Sequence, residues 1–349
     1  MLRIRELIKR IRSEGFTPDE FHKICVAALL LVAAIVVTGA AVRLTGSGLG
    51  CNDWPNCNDS NLVDVSSQHS AIEQINRLFT FVVGLAVVLA ALGAWMRRPR
   101  RRDLLALSTA LVAGIPAQGI VGAVVVWTDL NPVAVQLHFV LSMVLVAVAV
   151  VLVLRSREPD GVTRVTSVVP RTKRRVRLMV VWTGIAIVAG TIVTGTGPHA
   201  GDEEARRFTF LSITSATRIH SVIVWIAVLM ALSLLWHLRK RAHDREVLDA
   251  PLTAWMCVAI AQGAVGYLQY ANGVPASLVA VHVALATTLW ALSVWLWCST
   301  SRASGSARSM IAASRRRGSA GVGVGVGVGA EAAGEGGELV DGAREERAD

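Results

Sequence analysis

Eight long apolar segments interrupt this sequence and constrain its fold more than any other feature. Each reaches or approaches the roughly 20 residues that an α-helix needs to cross a bilayer. They cover residues 24–42, 71–95, 104–127, 133–154, 176–196, 214–236, 252–271 and 276–298. Only 17% of the residues are charged, against about 25% in a soluble domain. The sequence therefore predicts an all-α polytopic membrane protein with eight transmembrane helices.

The basic residues alternate between the two ends of the predicted spans. Of the 35 Lys and Arg residues, 30 lie on what would be one face, in residues 1–23, 97–103, 155–177, 237–250 and after 298. The positive-inside rule places this face, with both termini, in the cytoplasm. We therefore expect a multi-pass protein of the cell (plasma) membrane, in which the net charge of +10 reflects topology and no nucleic acid is bound.

Three segments lie outside the predicted spans on the cytoplasmic face. Within the N-terminal segment 1–23, Leu and Ile recur at helical spacing among Arg and Lys over residues 2–12, which is typical of an amphipathic helix on an anionic leaflet; a topogenic role is the alternative. Residues 155–175 form a linker. Residues 299–349 are rich in Ser, Ala, Gly and Arg, then in Gly-Val repeats and acidic residues, and this composition predicts a disordered cytoplasmic tail.

An internal repeat at an offset of 144 residues divides the spans into two halves. The tripeptide Ala-Gln-Gly at 117–119 recurs at 261–263, and Gly122 recurs as Gly266. The sequence thus predicts two repeated four-helix bundles, an N-terminal half over residues 24–154 (helices 1–4) and a C-terminal half over 176–298 (helices 5–8). Gln118 and Gln262 of this repeat are either helix-packing residues or ligand contacts.

Histidines inside the spans are the first candidates for chemistry, because ionisable groups are costly in lipid. At the repeat offset His138 aligns with His282, and Asn76 aligns with His220. Two neutral imidazoles at matching depth on different helices suit the axial ligation of a heme iron. Hydrogen bonding between helices is the alternative. A bare copper or zinc site needs three or four ligands close together. The sequence shows no cluster of that size within the spans, so we favour heme.

Charged residues near these positions have two interpretations each. Glu73 lies one helical turn before Asn76 and is a candidate general base or proton donor; an ion pair with a nearby Arg is the alternative. Arg77, Arg218 and Arg43 are candidate partners of heme propionates, or they reach the membrane interface. His69 caps helix 2, or acts as a ligand or proton relay.

Cys51 and Cys57 lie in the long first outer loop, an oxidising location in a bacterial plasma membrane. A disulfide between them would shape the loop or take part in redox exchange. We interpret the three other cysteines as small apolar residues within or beside the spans. No Cys-x-x-Cys-His motif is present, so we expect no covalent c-type heme.

The run from Thr38 to Cys57, TGAAVRLTGSGLGCNDWPNC, closely resembles the first-loop signature of the heme A synthase family. The resemblance continues through residues 72–78, the Ala-Gln-Gly segments, Arg218-Ile219-His220 and His282, and covers about residues 24–298. It implies an eight-helix, two-half, membrane-bound oxidoreductase. The implied reaction is oxidation of the C8 methyl group of heme O to a formyl group, which makes heme A for terminal oxidases.

Residue by residue, the resemblance assigns His220 and His282 to a bound heme b and His138 to the substrate heme O. Glu73 matches the family's important carboxylate in helix 2, and Cys51 and Cys57 match its outer-loop pair. Asn76 departs from the pattern, since many members carry a fourth His there. The substrate iron would then be five-coordinate through His138, or take water or His69.

Partners follow from the same resemblance. We expect heme O and heme A, the lipid bilayer, heme O synthase, oxidase assembly proteins, a second copy of the chain, and an external electron donor, because no dinucleotide-binding fingerprint occurs. A di-heme electron carrier or heme-handling protein without turnover is the alternative function. A small-molecule transporter is a third interpretation, and it would purify without colour.

Overall fold

The computed structural model of the protein describes residues 10, 13, 15–203 and 205–305. Eight helices in these residues are long and apolar enough to cross a membrane. They are α1 (Pro18–Leu44), α2 (Gln68–Met96), α3 (Arg102–Trp127), α4 (Pro132–Ser156), α5 (Pro170–Thr196), α6 (Ile213–Leu238), α7 (Ala242–Ala271) and α8 (Ala276–Ser299). The chain is thus a multi-pass membrane protein, and the predicted eight-helix fold class is confirmed.

The helices are longer than the apolar segments, because the helical hydrogen-bond ladder continues into the polar interface. α1 begins at Pro18 rather than at residue 24, since a capping box fixes its start. The Thr17 side chain accepts the Glu20 backbone N–H at 3.2 Å, and the Glu20 carboxylate accepts the Thr17 backbone N–H at 3.0 Å. The predicted amphipathic segment before this cap lies largely outside the described residues.

Two short strands lie on the side of the protein that carries the connections 97–101, 157–169 and 239–241, which we call the basic side. β1 (Val162–Thr166) pairs with β2 (Ser301–Gly305). β1 falls within the segment predicted as a linker, and β2 takes up the first residues of the predicted tail. Residues 306–349 lie outside the described residues.

The helices pack in the order that the repeat predicts. The most extensive contacts join α1 with α2, α3 with α4, α5 with α6, and α7 with α8. The halves meet where α8 packs on α1 and α4. They are not equally tight, because α6 contacts α7 much less than α2 contacts α3. The C-terminal half is therefore the more open bundle.

Ion pairs hold the connections of the N-terminal half on the basic side. Arg97 is 1% exposed and pairs with Asp160 at 2.6 Å. Arg101 pairs with Asp103 at 2.7 Å and donates to the Glu158 carbonyl oxygen at 2.8 Å. These contacts fix one end of the bundle, whereas the predicted site residues lie toward the opposite end. We call that end, with residues 45–67, 128–131, 197–212 and 272–275, the loop side.

Candidate functional site

One large cavity reaches both predicted sites. Its volume is about 1600 Å³, above the roughly 300–1,000 Å³ of ordinary ligand pockets. The N-terminal half contributes Glu73, Asn76 and His138 to its lining, and the C-terminal half contributes His220 and His282. Most of the remaining wall is apolar. The cavity therefore has the size and character for a large, mainly apolar ligand in contact with these side chains.

The eight histidines of the chain fall into two groups. Five make hydrogen bonds within the protein: His22 to Ser156 (2.7 Å), His69 to Ser47 (2.9 Å), His199 to the Val274 carbonyl (2.8 Å), His237 to Thr172 (3.0 Å) and His243 to the Ser167 carbonyl (3.1 Å). The other three are His138, His220 and His282. Each has a buried Nδ1 atom without a hydrogen-bond partner among the described residues.

A buried nitrogen without a partner is costly, so native proteins seldom leave one unsatisfied. The three histidines with this property are the three that the repeat and the resemblance selected as heme ligands. All three also line the cavity. The chemistry of the side chains present therefore fits a heme, which would supply the missing ring partner.

Glycines on neighbouring helices make room for these imidazoles. A Cβ atom at Gly122 would lie 3.6 Å from Cε1 of His138, and one at Gly266, the aligned glycine, would lie 3.2 Å from Cε1 of His282. A Cβ at Gly190 would lie 3.2 Å from Cε1 of His220. The repeat therefore preserves a contact between glycine and histidine as well as the histidine itself. In both α3–α4 and α7–α8, the glycine of the first helix lies beside the histidine of the second.

Asn76 occupies the position that aligns with His220. It lines the cavity, and its Oδ1 atom is buried without a hydrogen-bond partner in the described part of the chain. His69 cannot replace it in this arrangement, because its ring bonds to Ser47 and the residue is exposed outside the cavity. The prediction that His69 caps helix 2 is wrong, since Ser67 is the N-cap and accepts the Ser70 backbone N–H at 3.0 Å.

The predicted catalytic carboxylate is joined to the outer loop. Cys51 and Cys57 form a disulfide, and the Cys51 backbone N–H donates to Oε2 of Glu73 at 2.8 Å. Arg77 donates to Oε1 of Glu73 at 2.6 Å and to the carbonyl oxygens of Asn56 and Asp53 at 3.1 and 3.2 Å. Glu73 thus lines the cavity and also forms the ion pair that was the alternative interpretation.

The rest of this loop is shaped by Asp64. Its carboxylate accepts the Ser66 backbone N–H and the Asn58 side-chain amide, both at 2.8 Å. The Ser66 N–H is the main reason that the pKa of Asp64 lies below its usual value. These contacts persist while the carboxylate stays ionised, and they weaken as the pH falls through that lowered pKa.

Only one of the three arginines predicted to bind propionates is free to do so. Arg77 is engaged by Glu73 and the loop carbonyls. Arg43 is half-buried and donates to the carbonyl oxygens of His199 at 2.8 Å and Thr194 at 3.1 Å, so it ties α1 to the C-terminal half. Arg218 lines the cavity, is exposed, and has no hydrogen bond or ion pair to a described residue.

Comparison with known proteins identifies the family. A family model described as cytochrome oxidase assembly protein (COX15-CtaA) matches residues 22–201. The chain belongs to this family. It is 27% identical over 293 residues to the Heme A synthases of Listeria welshimeri and Listeria monocytogenes, covering 80% of this chain and 95% of each relative. A Heme A synthase of Alkalihalophilus pseudofirmus is 32% identical over 144 residues, covering 41% of this chain and 48% of that protein. Membership of the heme A synthase family, expected from the resemblance, is confirmed.

Two features of this heme A synthase family member were missed by sequence reasoning. The loop after α5 crosses to the N-terminal half, where the Gly48 backbone N–H donates to the Gly201 carbonyl oxygen at 2.8 Å. Ala200 and Ala205 pack there with Leu130. No local signal marks contacts between residues this far apart. Gly190 was missed as well, although a glycine in an apolar span is a recognisable indication of close helix packing.

Proposed function

We propose that the protein is a heme A synthase that oxidises the C8 methyl group of heme O to a formyl group. Its family is that of membrane-bound, heme-dependent oxidoreductases, and its curated relatives bear the name Heme A synthase. One observation carries the proposal: three histidines with unpartnered, buried Nδ1 atoms line a single large cavity across both halves. Conversion of a methyl group to an aldehyde with water as the oxygen source releases four electrons and four protons (R–CH3 + H2O → R–CHO + 4 H+ + 4 e−). The protein therefore needs routes for both.

The C-terminal half would hold heme b through His220 and His282. These residues lie on α6 and α8, in the more open bundle, with Gly190 and Gly266 leaving space at each ring. When bound, heme b supplies one-electron redox chemistry. Arg218, two residues before His220, lies at the cavity wall with no hydrogen bond or ion pair to the described part of the chain, and it would pair with a propionate.

The N-terminal half would hold heme O through His138. Asn76 takes the place of a second imidazole, and an amide is a weak ligand for heme iron. We infer that His138 alone orients the substrate iron and that Asn76 leaves the opposite face open. The apolar wall excludes water from the rest of the substrate.

Glu73 would accept the protons released at the reacting methyl group. Its place in the cavity wall is fixed by the Cys51 N–H and the Arg77 guanidinium. Oε1 accepts both Nε (3.0 Å) and Nη2 (2.6 Å) of Arg77, whereas Oε2 accepts the Cys51 N–H. Oε2 therefore keeps a lone pair that can accept a proton or a bridging water. Because Cys51 begins the disulfide loop, this proton site and the loop side are one connected structure.

Orientation and partners complete the proposal. The basic side, with both termini, would face the cytoplasm, and the loop side would face the oxidising compartment. The electrons released at the methyl group would pass to an electron acceptor outside this chain. The external electron donor expected from the sequence, and the contacts with heme O synthase, oxidase assembly proteins and a second copy of the chain, stay predictions.

The test is to express the chain in a host that lacks heme A and carries a heme O synthase, then to extract the membrane pigments for chromatography and mass analysis. Heme A or its hydroxylated intermediate, absent from a control without the chain, is the expected result. Heme O that stays unconverted beside protein-bound heme b contradicts the proposal and favours an electron carrier, and a colourless protein contradicts both.

A further inference from the structure

Gln118 on α3 has an amide group whose orientation the protein fixes. Its Nε2 atom donates to Oγ of Ser142 at 2.7 Å and lies 3.4 Å from the carbonyl oxygen of His138. The carbonyl can only accept, so the nitrogen of the amide must face it. The Oε1 atom is then left buried and without a donor among the described residues, while the residue lines the cavity.

This unpartnered acceptor lies beside the proposed substrate ligand. The carbonyl that orients Gln118 belongs to His138 itself, and Ser142, one helical turn further along α4, also donates to that carbonyl at 3.0 Å. Asn76 offers an unpartnered oxygen too, but no hydrogen bond to a described residue fixes which end of its amide faces the cavity. A ligand bound here therefore meets one acceptor of defined direction in a mainly apolar wall.

The chemistry of the substrate limits which group can satisfy this acceptor. An iron porphyrin has no free ring N–H, and ionised propionates only accept hydrogen bonds. Heme O differs from heme b in carrying a hydroxyalkyl chain in place of a vinyl group, and its hydroxyl is the neutral O–H donor of the molecule. We propose that Gln118 accepts a hydrogen bond from this hydroxyl and so selects heme O over heme b in the N-terminal half. The inference rests on the proposed function.

The repeat allows Gln118 to be compared with the aligned residue of the C-terminal half. Gln262 aligns with Gln118 and also has a buried, unpartnered Oε1 atom. The residue aligned with Ser142, however, is Ala286, and no hydrogen bond to a described residue fixes the Gln262 amide, so its orientation is not set as that of Gln118 is. We expect discrimination by hydroxyl in the N-terminal half alone, where substrate and not the resident heme b must be recognised.

The experiment measures binding rather than turnover. Purified protein with its heme b in place is titrated with heme O and, separately, with additional heme b. Absorbance reports the binding, and His138→Ala identifies the signal of the N-terminal site. We expect wild type to prefer heme O by about 10-fold or more. Gln118→Leu should lower this preference by about 5- to 10-fold, mainly by weakening heme O, whereas the matched variant Gln262→Leu should keep the wild-type preference.

Ser142→Ala provides a second variant, because it frees the Gln118 amide without removing it and should reduce the preference in part. A Gln118→Leu protein that is folded, retains heme b and prefers heme O as strongly as wild type overturns the inference, as does a wild type without preference. If wild type makes heme A while Gln118→Leu keeps the wild-type preference, only this inference fails. A wild type that never converts heme O overturns the proposed function, and the inference with it.

Discussion

Cys51 and Glu73 are joined across the boundary between the long loop and α2: the Cys51 backbone N–H donates to Oε2 of Glu73 at 2.8 Å. The same carboxylate pairs with Arg77, one turn further along the helix. At the repeat offset Glu73 aligns with Thr217 and Arg77 with Ser221, so the aligned positions of the C-terminal half cannot form such an ion pair. The two halves share their ligand positions but differ in their acid–base groups.

This asymmetry predicts different effects for the two members of the ion pair. Glu73→Gln and Arg77→Gln both remove the charge pair and should lower the thermal midpoint of the protein. Only Glu73→Gln removes a proton acceptor, so it should reduce heme A output by about 10²-fold, clearly beyond Arg77→Gln. Heme A per protein and melting temperature are measured together. Full heme A output from Glu73→Gln at normal protein levels would exclude the proton role.

The glycines beside the histidines predict a graded series. Gly266→Ala places a Cβ 3.2 Å from the His282 ring, so the ring must shift, whereas Gly122→Ala meets His138 at an ordinary 3.6 Å. Gly263→Ala is the control, since nothing described lies within 4 Å of its Cβ. We expect the visible spectrum of the bound heme to change in Gly266→Ala alone. Identical spectra for all three variants would contradict the placement of His282 at the heme.

The disulfide predicts a simple labelling result. In a variant with Cys25, Cys257 and Cys298 replaced by Ser, alkylation in denaturant should modify no thiol before reduction and both remaining thiols after it. Mass analysis of the intact protein counts the labels. Two labels without a reductant would show that Cys51 and Cys57 are unpaired.

Membrane orientation is tested by accessibility from outside the cell. In the same cysteine-replaced background, Thr209→Cys lies on the loop side and Lys240→Cys on the basic side, and both positions are exposed. An impermeant thiol reagent added to whole cells should label the first and reach the second only after lysis. The opposite pattern would place the termini outside and reverse the orientation given by the positive-inside rule.

Much of the fold was accessible from sequence because it depends on local or periodic properties. Apolar length determines the eight spans, and the 144-residue repeat correctly predicts how the helices pair. The start of α1 before its apolar segment could also have been predicted from sequence, since Thr17, Pro18 and Glu20 form a capping-box pattern. The pairing of β1 with β2 was not, because it joins segments about 140 residues apart that carry no matching signal.

The candidate site divides in the same way. Cost in lipid and repeat symmetry pointed to His138, His220 and His282, and all three line one cavity. The arginines could not be separated by sequence, because their roles depend on which acceptors the fold brings near. Arg43 is used by carbonyl oxygens of the C-terminal half and Arg77 by Glu73. Only the structure shows that Arg218 alone of these three lacks a protein partner in the described residues.

The most direct measurement is the pigment content of purified variants from a host that supplies heme O. If the N-terminal half binds the substrate and the C-terminal half binds heme b, His138→Ala should retain heme b but contain no heme A, whereas His220→Ala should lose heme b. His243→Ala, a histidine on the basic side that bonds to the Ser167 carbonyl, should match wild type. Wild-type amounts of heme A in His138→Ala, or a full complement of heme b in His220→Ala, would contradict the assignment of substrate and cofactor to the two halves.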